Sequence, residues 1–158
     1  MTAAQAQKKL RKFGNPKKAE FLMRFFKTGP GEYSHGDRFL GINVPVTRMV
    51  SREFKGLELS ELRKLMRSPI HEDRLLALMI LGYQFSKSKD ENAHARIYRF
   101  YIKHFDRVNN WDLVDESSRT IAGAFLHRYS TPKSSIAQLR RWARSSHLWT
   151  RRIAMVAT

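Results

Sequence analysis

Trp111 and Asp115 are the residues of this sequence whose types and spacing best suit chemistry. They stand four residues apart in a stretch of helical periodicity, so their side chains lie one turn apart on the same helix face. An aromatic ring attracts positive charge through its quadrupole, and a carboxylate adds a full negative charge beside it. The pair is therefore a candidate site for a cation or a cationic transition state. The alternative is that Trp111 belongs to the core while Asp115 pairs with Arg119 at i,i+4.

The rest of the chain is strongly basic. Its 158 residues include 30 Lys and Arg against 14 Asp and Glu, a formal net charge of +16. Every Asp and Glu lies between Glu20 and Glu116, so both ends carry only basic side chains. The resulting positive potential attracts polyanions. Nucleic acid is a favoured partner, because binding releases counterions from its phosphates and this release increases the affinity. An acidic protein or an anionic membrane would suit the same charge. Asp115 would repel phosphate, which favours a role other than DNA binding for that carboxylate.

Helical periodicity dominates the elements that must position these residues. Apolar residues recur at three- and four-residue spacing in the segments 19–26, 59–66, 75–79, 97–105 and 114–125. Capping residues precede these segments, among them Asn15, Asp90 and either Asn109 or Asn110. The segment 28–41 is a Gly- and Pro-rich loop. We predict a single all-α domain over residues 1–158, with about eight helices and no sheet.

An internal repeat predicts how the helices are arranged. Residues 62–81 align without gaps on residues 139–158, 77 residues later, and several polar residues are identical. Half of that spacing, about 38 residues, is close to one HEAT-type helix pair. We predict a HEAT-like repeat α-solenoid of antiparallel helix pairs, with Glu72, Trp111 and Trp149 near the starts of successive inner helices. The alternative is a chance similarity between amphipathic helices.

Several other classes of site are excluded. The chain has no cysteine, so disulfides, zinc–thiolate sites and thiol nucleophiles are ruled out. Five of the six histidines have no metal-ligand spacing, and we predict them at surface or loop positions: His35, His94, His104, His127 and His147. No metal or cofactor is implied. The sequence has neither a membrane-spanning apolar run nor a signal-peptide core, which predicts a cytoplasmic protein, nucleoid-associated if bacterial.

Four motifs together carry a family resemblance. They are FLGINVP at 39–45, SPIHEDRLLAL at 68–78, NNWDLVD at 109–115 and LWTRRIAMVAT at 148–158. In this order and spacing the chain resembles the AlkD-type DNA alkylation-repair glycosylases, over nearly its whole length. The resemblance implies HEAT-like repeats and a monofunctional, metal-free DNA glycosylase. Its substrate would be duplex DNA containing N3- or N7-alkylated purines, with no membrane and no obligate protein partner involved.

The resemblance also implies roles for individual residues. Trp111 corresponds to the sugar-facing tryptophan and Asp115 to the catalytic aspartate, while Arg152 corresponds to the arginine that binds the DNA backbone. We add as candidate DNA-binding residues a set of nearby basic and aromatic side chains: Arg151, Trp149, Arg119 and Arg144. Asp112 is instead predicted to support the helix dipole from the first turn.

The sequence departs from the better-known family members in two ways. Gly36, Asp37 and Arg38 stand where those members have aromatic residues, and Asn110 stands where they have a second tryptophan. The family also continues for several helices beyond this chain's last motif, so we expect a truncated member with Ile153 and Val156 poorly covered. The alternative functions are a non-catalytic DNA-binding HEAT-repeat module and a protein-interaction scaffold.

Overall fold

A computed structural model describes residues 1–158, and it is built of α-helices. The helices are α1 (Ala3–Arg11), α2 (Pro16–Phe25), α3 (Val44–Glu53), α4 (Leu59–Met66), α5 (His71–Lys87), α6 (Glu91–Lys103), α7 (Trp111–Ser118), α8 (Ala124–Tyr129), α9 (Pro132–Ala143) and α10 (Leu148–Val156). A short 3₁₀ turn at Phe105–Arg107 follows α6, and the only β pairing is an isolated bridge between Arg38 and Ile70. The predicted all-α class is confirmed.

Side-chain caps explain where several helices begin. Asn15 accepts a hydrogen bond from the Lys18 N–H ahead of α2, and Asp90 accepts from the Asn92 and Ala93 N–H groups ahead of α6. Asn110 is the cap of α7. These residues supply acceptors for N–H groups that have no partner inside the helix. The predicted helix starts at these three positions are therefore correct.

Helices α7 and α8 are joined by a π-helical segment, Arg119–Gly123, so the chain is helical without a break from Trp111 to Tyr129. At Gly123 a Cβ atom would lie 2.6 Å from the carbonyl oxygen of Ala157, just after the end of α10. Only glycine permits this close approach. The wide turn and the glycine together let the end of α10 pack against this rod.

The chain divides into two compact units, residues 1–80 and 81–158. In the first unit, four consecutive polar residues at the start of α5, His71 to Arg74, are buried, and an apolar run from Leu75 to Leu81 follows them. Glu72 accepts hydrogen bonds from the backbone N–H groups of residues 40, 41 and 42 at 2.9–3.2 Å. Asp73 accepts from Gln7, Arg11 and Ser68 at 2.7–3.3 Å. These carboxylates therefore tie α1 and the 38–43 loop to α5.

The other two of these residues, His71 and Arg74, bind Asp37. Arg74 donates to the Asp37 carboxylate at 2.6 Å and to the carbonyl of Ser68 at 2.9 Å, and its side chain is fully buried. Buried charges such as those of Arg74 and Asp37 are stable only when each has a close partner.

The loop that binds Glu72 also needs a glycine. Gly41, with φ +78°, has no room for a side chain, because a Cβ would clash with the carbonyl oxygen of Asn15.

The second unit packs α10 against α7 and α9, and α6 against α8. Ile153 of α10 is fully buried, so the prediction that it is poorly covered is wrong. Its coverage comes from the contacts of α10 with α7 and α9 within this unit. Two histidines were also misplaced at the surface. His94 and His104 are buried, and their ring nitrogens contact the carbonyls of Phe85 and Phe100.

The internal repeat appears as matching helix boundaries. α4 ends at Met66 and α5 begins at His71, while α9 ends at Ala143 and α10 begins at Leu148, the aligned positions. One side-chain contact repeats as well: the Nη1 atoms of Arg74 and Arg151 each donate at 2.9 Å to the carbonyl of the aligned serine, Ser68 and Ser145. The similarity therefore reflects a shared helix–turn–helix unit. None of the helices has both the length and the apolarity needed to cross a membrane.

Candidate functional site

Trp111 and Asp115 lie on the first two turns of α7. Trp111 is the first residue of the helix, and its backbone N–H donates at 2.8 Å to the side-chain oxygen of Asn110. Its side chain is partly exposed, while Asp115, one turn later, is exposed. Asp112 accepts from the Leu113 N–H at 2.8 Å, in keeping with its predicted first-turn position. The indole and the carboxylate are therefore both accessible on one stretch of helix.

Asp115 is held by Arg152 of α10. The Arg152 Nε atom donates to Oδ1 at 3.0 Å, and Nη2 donates to Oδ2 at 2.8 Å, which is a two-point pairing between planar groups. The hydrogen bonds to Asp115 raise the pKa of the Arg152 guanidinium. The partner of Asp115 is thus Arg152, 37 residues away, rather than the i,i+4 residue Arg119.

A buried hydroxyl network fixes α7 from behind. The Tyr101 hydroxyl of α6 lies 2.8 Å from the Ser117 Oγ and 3.0 Å from the Ser118 Oγ. Because Ser117 donates its own proton to the Leu113 carbonyl at 2.6 Å, Tyr101 must donate to Ser117 and accept from Ser118. Burial raises the pKa of Tyr101 to about 12. The network orients α7 so that Asp115 faces solvent.

Sequence reasoning missed this network. Ser117 and Ser118 interrupt the apolar pattern of α7, and Tyr101 sits in the apolar pattern of α6. A tyrosine at a core position beside two serines was the available signal, because a buried hydroxyl needs a partner.

The other predicted DNA-binding residues fall into two groups. Arg119 and Arg144 are exposed, and Arg119 lines a hollow of about 340 Å³ that also includes His127 and Thr158. Trp149, by contrast, is buried, with 7% of its surface exposed. Arg151 donates through Nη1 to the carbonyls of Ser145 and Ser146, both at 2.9 Å. The structure therefore pairs Asp115 with Arg152, while Trp149 is part of the core and the exposed Arg151 binds the turn before α10.

The repeat also predicted where three residues stand in their helices. Trp111 is the first residue of its helix, and Glu72 and Trp149 are each the second. This prediction is confirmed. Only Trp111 is accessible, however, because Glu72 is buried against the 38–43 loop and Trp149 is covered.

Comparison with known families agrees with the pattern of motifs. The model of the family described as DNA alkylation repair enzyme matches residues 6–158. The chain therefore belongs to the DNA alkylation repair enzyme family, an enzyme family of DNA repair whose substrate is DNA. No curated protein sequence matches the chain at a significant level.

Proposed function

We propose that this chain is a monofunctional DNA glycosylase, which hydrolyses the N-glycosidic bond of N3- and N7-alkylated purines in duplex DNA. The observation that carries the proposal is the accessible Trp111–Asp115 pair on α7, in a chain of the DNA alkylation repair enzyme family. Alkylation at these ring nitrogens gives the purine a positive charge. An accessible indole and carboxylate suit the cationic sugar that forms when such a base leaves.

The proposed reaction needs no strong general acid. As the bond from C1′ to the purine nitrogen breaks, its electron pair neutralises the cationic base, which departs uncharged. The sugar left behind has the character of an oxocarbenium ion, and the Asp115 carboxylate stabilises that positive charge. Water adds to C1′ and its proton passes to the carboxylate or to solvent, leaving an abasic sugar. Trp111 presents its ring to the same sugar.

Arg152 gives this site a dependence on DNA. In the DNA-free chain its guanidinium neutralises Asp115 through two hydrogen bonds. Guanidinium groups bind phosphate with the same two-point geometry, so a backbone phosphate competes with Asp115 for Arg152. When Arg152 moves to the phosphate, the negative charge of Asp115 becomes available to the sugar. DNA binding and activation of the carboxylate are thereby one event.

The same ion pair favours a second candidate, a DNA-binding module without catalysis. A carboxylate that is permanently paired with Arg152 joins α7 to α10 and has no charge to offer a reacting sugar. In that case the positive charge of the chain would bind DNA while Asp115 serves the fold.

Base release separates the two candidates. The chain is incubated with duplex DNA methylated at purine nitrogens, and free bases are separated from the polymer by chromatography. We expect release of 3-methyladenine or 7-methylguanine, leaving abasic sites that alkali cleaves. A chain that binds the methylated duplex tightly and releases no base would support the non-catalytic module instead.

A further inference from the structure

Helix α2 presents two aromatic rings to solvent. Phe21 is 59% exposed and Phe25 is 54% exposed, and their rings stack with centroids 6.2 Å apart and planes inclined by 18°. The one buried residue of this helix is Ala19. Phe21 and Phe25 follow Ala19 by two and six positions, which places them on the opposite side of the helix. We call these two residues the α2 aromatic pair.

The α2 aromatic pair is connected to buried aromatic rings through Phe25. The ring of Phe25 meets that of Phe26 edge to face at 5.2 Å, and the buried Phe26 stacks on Phe39 at 4.9 Å. Phe39 in turn stacks on His71 at 4.4 Å. A continuous series of ring contacts thus runs from the exposed Phe21 to His71, one of the four buried polar residues at the start of α5. Rings that are already ordered lose little entropy when they bind a ligand.

Basic side chains surround the pair. Three exposed basic residues lie on α2 and a fourth lies two residues after its end. They are Lys17, Lys18, Arg24 and Lys27. The only acid of the helix is Glu20, whose carboxylate is 3.9 Å from Arg24. Exposed rings among cations are the combination with which proteins hold single-stranded nucleic acid, because bases stack on the rings while phosphates neutralise the charges.

We propose that the α2 aromatic pair is a binding site for unpaired bases of nucleic acid, separate from the residues of the proposed glycosylase site. A second copy of the chain is a poor occupant, because each copy carries a net charge of +16. A membrane surface is also disfavoured, since two rings on a ten-residue helix supply little of the apolar area that an interfacial helix buries. Unpaired bases satisfy both the rings and the charges.

The test compares a labelled oligothymidine strand with a fully paired duplex of equal length, by fluorescence anisotropy with the full chain. The double variant Phe21→Leu/Phe25→Leu keeps the surface apolar and removes the ring faces. We expect its affinity for oligothymidine to fall roughly five- to a hundredfold for each ring that stacks on a base. Its affinity for the paired duplex should change less than twofold.

Three controls make the result specific. Phe13→Leu, at a ring that is 39% exposed and lies outside the pair, should leave both affinities unchanged. The double variant Phe21→Tyr/Phe25→Tyr keeps the ring faces and should bind oligothymidine as the wild type does. That result would show that the leucine variant loses affinity because it lacks the rings and not because it is misfolded. Lys17→Ala/Lys18→Ala should reduce the slope of log K against log salt by about 0.7 per lost phosphate contact. The leucine variant should keep the wild-type slope.

Equal binding of oligothymidine by the wild type and the leucine variant overturns the proposal. So does an equal loss for strand and duplex, which would assign the rings to folding. Binding of vesicles rich in phosphatidylglycerol that depends on the pair, with unchanged oligonucleotide binding, would make the face a membrane contact and also overturn it. These readouts contain no bond cleavage, so they stand or fall independently of base release.

Discussion

Replacement of Asp115 by asparagine separates catalysis from stability at the proposed site. The side chains of Asp115 and Arg152 are 41% and 42% exposed, so water and salt screen their attraction. An exposed pair of this kind contributes about 0.5–1 kcal/mol to folding. For a domain of this size such a loss lowers Tm by no more than about 4 °C. Asparagine also retains one oxygen that can accept from Arg152.

The expected effect on the reaction is much larger. A preorganised group that stabilises developing charge contributes about 3 kcal/mol to the transition state, so base release should slow by about a hundredfold. DNA affinity should stay equal or rise, because the variant removes a negative charge that repels phosphate and that holds Arg152. Release is measured in single turnovers with excess protein on methylated duplex, and affinity by anisotropy on the same duplex.

Asp112→Asn is the matched control. It removes an equal charge three residues earlier on α7, where the carboxylate accepts from the Leu113 N–H. Its rate of base release should match the wild type, with a small loss of stability from the helix dipole. An Asp115→Asn chain that releases bases at the wild-type rate would refute the assignment of Asp115. A slow chain whose Tm falls by far more than about 4 °C would instead assign Asp115 to the fold.

The remaining predictions concern residues that make contacts within one or the other unit. Arg152→Ala should weaken duplex binding and reduce the slope of log K against log salt by about one unit. Arg151→Ala should leave that slope unchanged and lower Tm. Equal slopes for the two variants would contradict this assignment. Tyr101→Phe should cost about 1–2 kcal/mol in urea unfolding, because two buried serine hydroxyls lose a partner; an unchanged midpoint would count against the network. Glu72→Gln should cost about 1.5–3 kcal/mol, because it replaces a charged acceptor by a neutral one and puts an NH2 group where Oε2 accepts from the Leu40 N–H. Unaltered hydrogen exchange of the 40–42 amides would argue against that role.

Helix positions were predictable from local chemistry. An asparagine before a proline marks the start of α2, and Asp90 and Asn110 mark the starts of α6 and α7 as predicted. These signals work because a cap side chain satisfies N–H groups within three residues of itself. The repeat likewise depends on short-range pattern, and it located the start of α10 from that of α5.

Buried polar residues were harder to predict. A polar side chain is ordinarily expected at the surface, and nothing in the local sequence marks the polar start of α5 as buried. In the structure Glu72 and Asp73 are buried because their partners come from the 38–43 loop and from α1, more than thirty residues away in the chain. Helical periodicity reports which face is apolar, but it does not identify a distant partner that permits burial of a charge.

The pairing of Asp115 with Arg152 shows how the repeat bears on the proposed site. Arg151 and Arg152 are adjacent and chemically equal, and both were predicted to bind DNA. The alignment of Arg151 with Arg74 distinguishes them, because both of these arginines bind the carbonyl of the aligned serine in the turn before their helix. Arg151 therefore repeats a contact of the fold, and Arg152 does not. Because Arg152 takes no part in that repeated contact, and because its guanidinium faces Asp115, we expect Arg152 rather than Arg151 to bind DNA.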